Sequence, residues 1–385
     1  MNPVSILQSL IRCPSVTPAE GGALKYLEQL LKPAGFRTIR LPFSEPGTAD
    51  VENFYARHGS GRPHFCFAGH TDVVPPGREA DWTYPPFSGV VADDQVWGRG
   101  AVDMKGGIAA FAAAVLSLAA EGWLRGSVSL LITGDEEASA INGTAKVLGW
   151  MRENAEIPDH CLVGEPTSRE RLGDGIKIGR RGSVNIHLTA EGRQGHVAYP
   201  ENVINPIHLL GRMIDRLHSE PIDSGNEWFG PSTLQCVTAD TANPAVNVVP
   251  ARATARFNVR HNTLQTAETL AFWVRQRCDR VVGELGGSYA LDVQAKSDAF
   301  VTEAGPLLAV VAAAIEKETG VVPLVNTGGG TSDARFIKDF CPVVEFGPLS
   351  QTIHQVDERI TVEDLETLTK IYQSILERYF AAYRS

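Results

Sequence analysis

The 385-residue sequence has little cysteine and no long apolar run. Its six cysteines are scattered without a Cys-x-x-Cys pair, which excludes a disulfide framework or a thiolate zinc site, so we expect reduced thiols in the core. The longest apolar stretch, residues 108–120, is too short to span a bilayer. The N-terminus also lacks the basic-then-apolar pattern of a signal peptide. We therefore expect a cytoplasmic protein without a membrane partner.

Basic runs are absent as well. The 35 basic and 45 acidic side chains give a formal net charge of −10, which argues against nucleic acid as a partner and fits carboxylates gathered around cations. There is no internal repeat or low-complexity linker. The length favours two or three domains with a large core.

A histidine follows an apolar run at residues 64–69 that is typical of a buried strand. His70 and Asp72 are two residues apart, so on an extended backbone they share a face. The carboxylate can then accept the imidazole N–H while the other ring nitrogen faces a metal. The alternative is a satisfied histidine at a strand end, followed by a turn-forming aspartate.

Further candidate ligands recur near predicted strand ends about thirty residues apart, the spacing of strand-helix units. Such ends converge on one rim of an α/β sheet, where carboxylates and imidazole suit zinc or a similar divalent ion, and two ions if one carboxylate bridges. The alternative role for Asp103 is the N-cap of a helix. The alternative for the three adjacent acids, residues 135–137, is a solvated turn. The candidates are Asp103 before helix 108–120, Asp135, Glu136 and Glu137 after strand 127–133, Glu165 after strand 161–163, and His354 beyond strand 342–346.

The pattern changes at residue 180. Residues 180–295 have the order β-α-β-β-α-β of a ferredoxin-like insert, and the first pattern resumes afterwards. We therefore expect an α/β catalytic domain of residues 1–179 and 296–385, interrupted by an α+β domain of residues 180–295.

Six motifs, taken together and in this order, resemble the co-catalytic zinc aminoacylase and carboxypeptidase family. The resemblance covers nearly the whole chain. It implies a zinc-hydrolase catalytic domain with a central mixed sheet flanked by helices, and an inserted domain through which a homodimer forms. The motifs are Gly69-His70-Thr71-Asp72, Gly98-Arg99-Gly100-Ala101-Val102-Asp103-Met104-Lys105-Gly106-Gly107, Asp135-Glu136-Glu137, Gly164-Glu165-Pro166-Thr167, Gly195-His196 and Ile353-His354.

The same resemblance implies a role for each site residue. Two Zn²⁺ ions per subunit, replaceable by Co²⁺, would activate water for attack on an amide. Because Asp135 adds a third acid, the register of base and ligand rests on the resemblance alone. The implied roles are one zinc on His70 and Glu165, the other on Glu137 and His354, Asp103 as the bridge, Glu136 as general base, Asp72 orienting His70, and His196 from the partner subunit at the oxyanion.

Four further segments resemble, within the family, the members that hydrolyse a succinyl amide of diaminopimelate. They are residues 15–18, 179–183, 247–250 and 327–335. The implied substrate is a small dicarboxylate amide, and its expected contacts are Arg180, Asn247, Arg260, Gly329, Thr331 and Ser332.

Other functions remain open at this point. Acetylornithine deacetylation, aminoacylase and dipeptidase activity are the alternatives within the family. A nucleotide site at the glycine-rich residues 328–332 lacks the Lys-Ser/Thr ending of a phosphate loop. A non-catalytic metal- or peptide-binding module would be expected to lose the base, yet Glu136 is present.

Overall fold

The computed structural model describes residues 1–302 and 305–383. The helices are α1 Pro3–Ile11, α2 Ala23–Leu31, α3 Lys105–Ala120, α4 Thr144–Glu153, α5 Pro206–Ser219, α6 Ala267–Leu285, α7 Pro306–Thr319, α8 Ala334–Ile337 and α9 Val362–Ala382. The longer strands and the short pairings are β1 Arg37–Phe43, β2 Val51–His58, β3 His64–His70, β4 Val90–Ala92, β5 Gln95–Trp97, β6 Ser127–Thr133, β7 His160–Val163, β8 Gly175–Lys177, β9 Gly179–Arg180, β10 Gly182–Glu191, β11 Gly195–His196, β12 Thr233–Asp240, β13 Val248–Val249, β14 Arg252–His261, β15 Ser288–Ser297, β16 Phe300–Val301, β17 Leu324–Asn326, β18 Val343–Glu345 and β19 Arg359–Thr361.

The chain forms two compact units. The first contains Met1–Ile178, Thr302–Asn326 and Ser332–Ser385. Its eight-stranded sheet has the order β1-β2-β6-β3-β7-β18-β8-β17, with β3 parallel to both β6 and β7, and β1 and β2 antiparallel. The predicted mixed sheet with flanking helices is confirmed. The carboxyl ends of β3, β6 and β7 therefore lie at one edge.

Helix α3 approaches the end of β7 closely because Gly107 leaves room. A Cβ on Gly107 would lie 2.5 Å from the carbonyl oxygen of Gly164, which directly follows β7. The helix also packs against α1 and α9, so nearly all of its side chains are buried. It begins at Lys105, earlier than the predicted residue 108, because the two glycines before Ile108 already belong to it. The loop preceding α3 is thereby held near the sheet edge.

The six cysteines are all unpaired, and their surroundings differ. Cys66, Cys161, Cys278 and Cys341 are buried, as expected for core thiols. Cys236 is exposed because it lies on β12, an edge strand of its sheet, so the expectation of a core position is wrong for this residue.

The second unit contains Gly179–Val301 and Thr327–Thr331. Its antiparallel sheet has the order β12-β14-β10-β15, and α5 and α6 pack on this sheet, in the βαββαβ order predicted from sequence. The core includes Val184, Ile186 and Leu188 of β10. Its segment 327–331, placed with the other domain by the sequence analysis, is attached by a hydrogen bond from Thr327 Oγ1 to the Trp228 carbonyl.

Within residues 1–302 and 305–383, no helix has both the length and the apolar composition needed to cross a membrane.

Candidate metal centre

His70 is the last residue of β3 and is only 1% exposed. Its Nδ1 lies 2.8 Å from the backbone carbonyl oxygen of Asp72, which fixes the ring and makes Nδ1 the donor. Nε2 then faces two carboxylates, at 3.2 Å from Asp103 Oδ1 and 3.5 Å from Glu165 Oε1. A neutral imidazole held in this way presents a lone pair to a cation.

The Asp72 carboxylate has a different task from the one expected. Its Oδ1 is 3.6 Å from His70 Nδ1, too far for a hydrogen bond. Instead the two oxygens accept the backbone N–H groups of Glu136 at 3.3 Å and Glu137 at 3.1 Å. The ring is thus oriented by the Asp72 carbonyl, and the carboxylate fixes the turn that carries the neighbouring acids.

Asp103 lies between two histidines. Its Oδ1 faces His70, and its Oδ2 lies 3.2 Å from Nε2 of His354. The N-cap of α3 is Met104, and no side chain caps that helix, so the N-cap alternative for Asp103 is wrong. One carboxylate that offers an oxygen to each side has the arrangement of a bridging ligand.

His354 completes the second group of donors. Its Nε2 is 2.8 Å from Oε1 of Glu137, and its side chain is 45% exposed, unlike that of His70. The backbone of His354 has a φ of +59°, a conformation that costs energy for a residue other than glycine. Surrounding contacts must therefore hold the backbone of His354, a candidate ligand, in this conformation.

The three consecutive acids after β6 separate into two roles. Asp135 is 2% exposed and accepts hydrogen bonds from the Asn142 N–H at 2.9 Å and from Thr133 Oγ1 at 3.2 Å. It ties the loop to its own strand, whereas Glu136 and Glu137 remain partly accessible. The solvated-turn alternative is therefore wrong for Asp135.

The carboxylates around His70 and His354 favour the protonated form of both imidazoles. Hydrogen bonds with Asp103 and Glu137 raise the pKa of His354 to about 10. Burial lowers the pKa of His70, but hydrogen bonds with Asp103 and Glu165 outweigh burial and hold that pKa well above its ordinary value. Without metal, a proton on each ring would balance the carboxylates. A divalent cation can replace each proton, because imidazole binds metals in its neutral form.

The donor set fits divalent metal ions. Burial and the nearby Glu165 carboxylate raise the pKa of Glu136 well above its usual range, which also indicates an excess of negative charge. Mixed carboxylate and imidazole donors suit zinc and similar ions. Two donor groups, each with atoms within 4.8 Å of one another, share Asp103: His70, Asp103 and Glu165, and Asp103, Glu137 and His354.

The predicted oxyanion histidine lies in the second unit. His196 is exposed on β11, and its Nδ1 accepts the Ala198 N–H at 3.1 Å, so in the neutral ring Nε2 carries the proton. The N–H of Val197 donates to the Asn247 carbonyl at 3.2 Å. This contact brings the predicted site residues His196 and Asn247 close together.

The remaining predicted substrate contacts differ in exposure and in hydrogen-bond partners. Arg180 is 4% exposed and donates to the Gly330 carbonyl at 3.0 Å, which places it beside Gly329 and Thr331. Arg260 is exposed on β14, where its Nε donates to Asn258. Ser332 belongs to the first unit, where its hydroxyl donates to Glu345 Oε1 at 2.9 Å.

Residues 66–378 match the model of peptidase family M20/M25/M40. The chain belongs to this family. The family resemblance and the hydrolase class predicted from sequence are therefore confirmed.

Two curated relatives of this chain are named succinyl-diaminopimelate desuccinylase. The protein of Rhodopseudomonas palustris (strain TIE-1) is 54% identical over 380 residues, which cover 98% of each chain. The protein of Bradyrhizobium sp. (strain ORS 278) is 53% identical over 380 residues, covering 98% of this chain and 99% of the relative.

Solved structures share the fold at low identity. Aminopeptidase PepT from Bacillus cereus ATCC 10987 superposes with a TM-score of 0.80 at 19% identity, covering 98% of each chain. The YXEP protein of Bacillus subtilis, described as a dinuclear metal-binding peptidase of the M20 family, has a TM-score of 0.72 at 15% identity, covering 97% of this chain and 96% of that one.

Two buried residues, Arg99 and Glu358, contact the loops that carry the candidate ligands and were not predicted from the sequence. Arg99 lies inside a motif that was used only for the resemblance, and Glu358 lies four residues after His354 outside any motif. Their burial, at 2% and 0% exposure, shows that each charge needs a partner inside the M20 fold. An arginine between two glycines, Gly98 and Gly100, was the available signal for Arg99, and the sequence had none for Glu358.

Proposed function

We propose that this chain is a metal-dependent amide hydrolase that converts N-succinyl-LL-2,6-diaminopimelate and water to succinate and LL-2,6-diaminopimelate, in lysine and cell-wall biosynthesis. The observation that carries the proposal is the pair of donor groups joined at Asp103, in a chain that matches two desuccinylases over 98% of its length. A biosynthetic hydrolase of this kind would act in the cytoplasm.

His70, Asp103 and Glu165 would hold one ion, and Asp103, Glu137 and His354 the other. Zinc is the proposed metal, with Co²⁺ able to replace it. Two divalent ions supply Lewis acidity, which acidifies water and polarises an amide carbonyl. The protein has to hold the donors, bind the substrate and move the proton.

Glu136 is the proposed general base. Its backbone N–H donates to the buried Asp72 carboxylate, so the turn that carries it is fixed next to the ligand Glu137. In the reaction the water oxygen bonds to the amide carbon, and Glu136 accepts the proton released. The C–N bond then breaks, and Glu136 returns the proton to the departing amine nitrogen.

His196 is the proposed donor to the oxyanion. Since its Nδ1 accepts a backbone N–H, Nε2 is the ring atom with a proton to donate. We propose that it acts in the active site of the partner subunit of a homodimer, and that the second unit provides the interface.

The substrate carries three carboxylates and one ammonium group, so binding requires several donors. Arg180 and Arg260 would hold carboxylates, since a guanidinium can give two parallel hydrogen bonds. Asn247, Gly329 and Thr331 would add neutral donors. Ser332 would contribute only by giving up its hydrogen bond to Glu345.

A small panel of amides tests the proposal. Zinc-loaded protein should hydrolyse N-succinyl-LL-2,6-diaminopimelate with a kcat/KM at least about tenfold above those for N-acetylornithine and N-acetylmethionine, which corresponds to about 1.4 kcal/mol of preference. The Glu136→Gln protein is the control for contaminating hydrolases. Faster turnover of N-acetylornithine would overturn the substrate assignment and leave the hydrolase class intact.

A further inference from the structure

Arg99 and Glu358 form a buried ion pair in the first unit. Nη1 of Arg99 lies 2.7 Å from Oε2 of Glu358, and the two residues are 2% and 0% exposed. Taking both charges out of water is costly unless other hydrogen bonds satisfy the remaining atoms. The partners of each residue therefore indicate what the pair holds in place.

The Glu358 carboxylate holds the loop before α3. Oε2 accepts the N–H of Gly100 at 3.0 Å, and Oε1 accepts those of Val102 at 2.9 Å and Asp103 at 3.1 Å. The last of these N–H groups belongs to the proposed bridging ligand itself. With the arginine, the carboxylate has four donors, so small movements of this loop would break charge-assisted hydrogen bonds.

Arg99 reaches the loop of the other ligand. Its Nη1 donates to the Gln355 carbonyl at 3.1 Å, and its Nη2 lies 3.4 Å from the carbonyl oxygen of His354. The guanidinium also lies over the Trp82 ring, at 5.2 Å from the ring centre. The two hydrogen bonds hold the backbone at His354, whose φ is +59°, so they offset the cost of that backbone conformation.

We propose that the Arg99–Glu358 pair is a positioning device that sets Asp103 and His354 relative to each other, so that the two donor groups would bind divalent ions tightly. The inference rests on the proposed function in one respect, namely that two ions bind to these donors. Neither residue is a metal ligand. Both act through the backbone of the proposed ligands, Asp103 and His354.

The same unit contains a matched control. Glu156 is 6% exposed, and it accepts hydrogen bonds from Tyr55 Oη at 2.9 Å and Arg57 Nη1 at 2.6 Å, and another from Arg37. It is also a buried carboxylate with arginine partners, but those partners belong to β1 and β2 and carry none of the candidate ligands. Its neutralisation reports on the loss of a buried ion pair alone.

The experiment compares Glu358→Gln and Glu156→Gln by Zn²⁺ titration calorimetry of metal-free protein, together with thermal unfolding. Both variants should unfold at lower temperature. Glu358→Gln should also bind both ions about 10- to 100-fold more weakly, because the glutamine NH₂ would face N–H donors where an oxygen accepts now. Glu156→Gln should keep the affinities within about threefold, a difference of about 0.7 kcal/mol.

Arg99→Lys is the second variant, and it decides the question if Glu358→Gln does not fold. A lysine keeps the charge but cannot span the Glu358 carboxylate and both carbonyls, so the ion on the His354 side should bind about tenfold more weakly while the other changes less. In whichever variants fold, unchanged affinities despite lowered stability would overturn the inference. Fewer than two ions in the unmodified protein would overturn the metal centre and this inference with it. Two ions without hydrolysis of the succinyl amide would overturn only the substrate assignment.

Discussion

The proposed metal ligands and the proposed substrate contacts are built differently. In the first unit, His70, Asp103 and Glu165 are each at most 9% exposed, and His70 contacts both carboxylates directly. His354 is 45% exposed, but it too contacts two of the other proposed ligands, Asp103 and Glu137. In the second unit, His196 and Arg260 are exposed, and each has a polar contact within its own segment, to the Ala198 N–H and to Asn258. We therefore expect the proposed metal site to be preorganised and the proposed substrate contacts to reach their final arrangement only when substrate binds.

The difference follows from the local structure. Three of the ligand-bearing segments begin where buried parallel strands end, and the close packing of α3 limits how far its preceding loop can move. Of the proposed recognition residues, Arg260 lies on the antiparallel sheet and His196 on the two-residue strand β11, whereas Asn247, Gly329 and Thr331 lie outside the strands. Arg180 and Ser332 are exceptions, because both are buried, with Arg180 donating to the Gly330 carbonyl and Ser332 to Glu345 Oε1.

Removing the base should have the largest effect. Glu136→Gln should lower kcat by about a thousandfold or more, since the proton acceptor is lost while the ligands remain. Single-turnover kinetics and metal analysis of the same preparation check this. Retention of both ions is expected, and loss of an ion would identify Glu136 as a ligand.

Mixed subunits test whether the recognition side acts across a dimer. Neither His196→Ala nor Glu136→Gln homodimers should turn over substrate efficiently. A purified hybrid dimer should recover about half of the unmodified activity, because one of its sites has both the base and the partner's histidine. The measurement is turnover after subunit exchange verified by mass spectrometry. An inactive hybrid would place His196 outside the partner's site.

Arg260→Ala should have a smaller effect, on binding more than on chemistry. Loss of one charge-assisted carboxylate contact costs about 1.5–3 kcal/mol, or roughly ten- to hundredfold in kcat/KM. Arg256→Ala is the matched control, since Arg256 is exposed on the same strand four residues earlier. Steady-state kinetics with the succinyl amide checks both variants. Equal losses in the two would show a general effect of surface charge.

The last prediction concerns stability rather than activity, at a residue away from the metal centre. His64 is 2% exposed, and burial together with the nearby Arg57 lowers its pKa to about 3. Below pH 6.5 the unfolded chain takes up a proton that the folded chain does not, so stability falls as the pH falls toward 3, by at most about 1.4 kcal/mol per pH unit.

His64→Gln should flatten that part of the pH profile, because glutamine does not titrate. Urea unfolding at pH 7 and pH 5 measures the slope. The glutamine amide can still reach Ser129, whose Oγ lies 2.7 Å from His64 Nε2 in the unmodified protein. An unchanged slope in the variant would assign the acid sensitivity to other groups.

Sequence reasoning identified the residues that directly follow buried strands. His70 and Glu165 were found because apolar runs end beside them, and parallel strands bring such ends together. Asp72 was assigned to the right neighbourhood but the wrong contact, since a sequence does not distinguish its carbonyl from its carboxylate. The role of Asp135 became clear only from the hydrogen bond to the Asn142 N–H.

Glu358 shows what the sequence does not contain. No periodicity marks a carboxylate that is buried in a loop, and its partners Gly100, Val102 and Asp103 lie more than 250 positions away along the chain. A predicted helix boundary was wrong for a simpler reason. The start of α3 was expected at residue 108, but the helix begins at Lys105, since Gly106 and Gly107 already belong to it.

Crystallography of zinc-loaded protein with anomalous scattering at the zinc edge tests the central claim most directly. Two peaks per chain are predicted, each with nitrogen and oxygen ligands at about 2.0–2.2 Å and both bonded to Asp103. The His70 and Glu165 side chains should bind one ion, and the Glu137 and His354 side chains the other. A single peak, or two peaks with Asp103 bound to neither, would contradict the account.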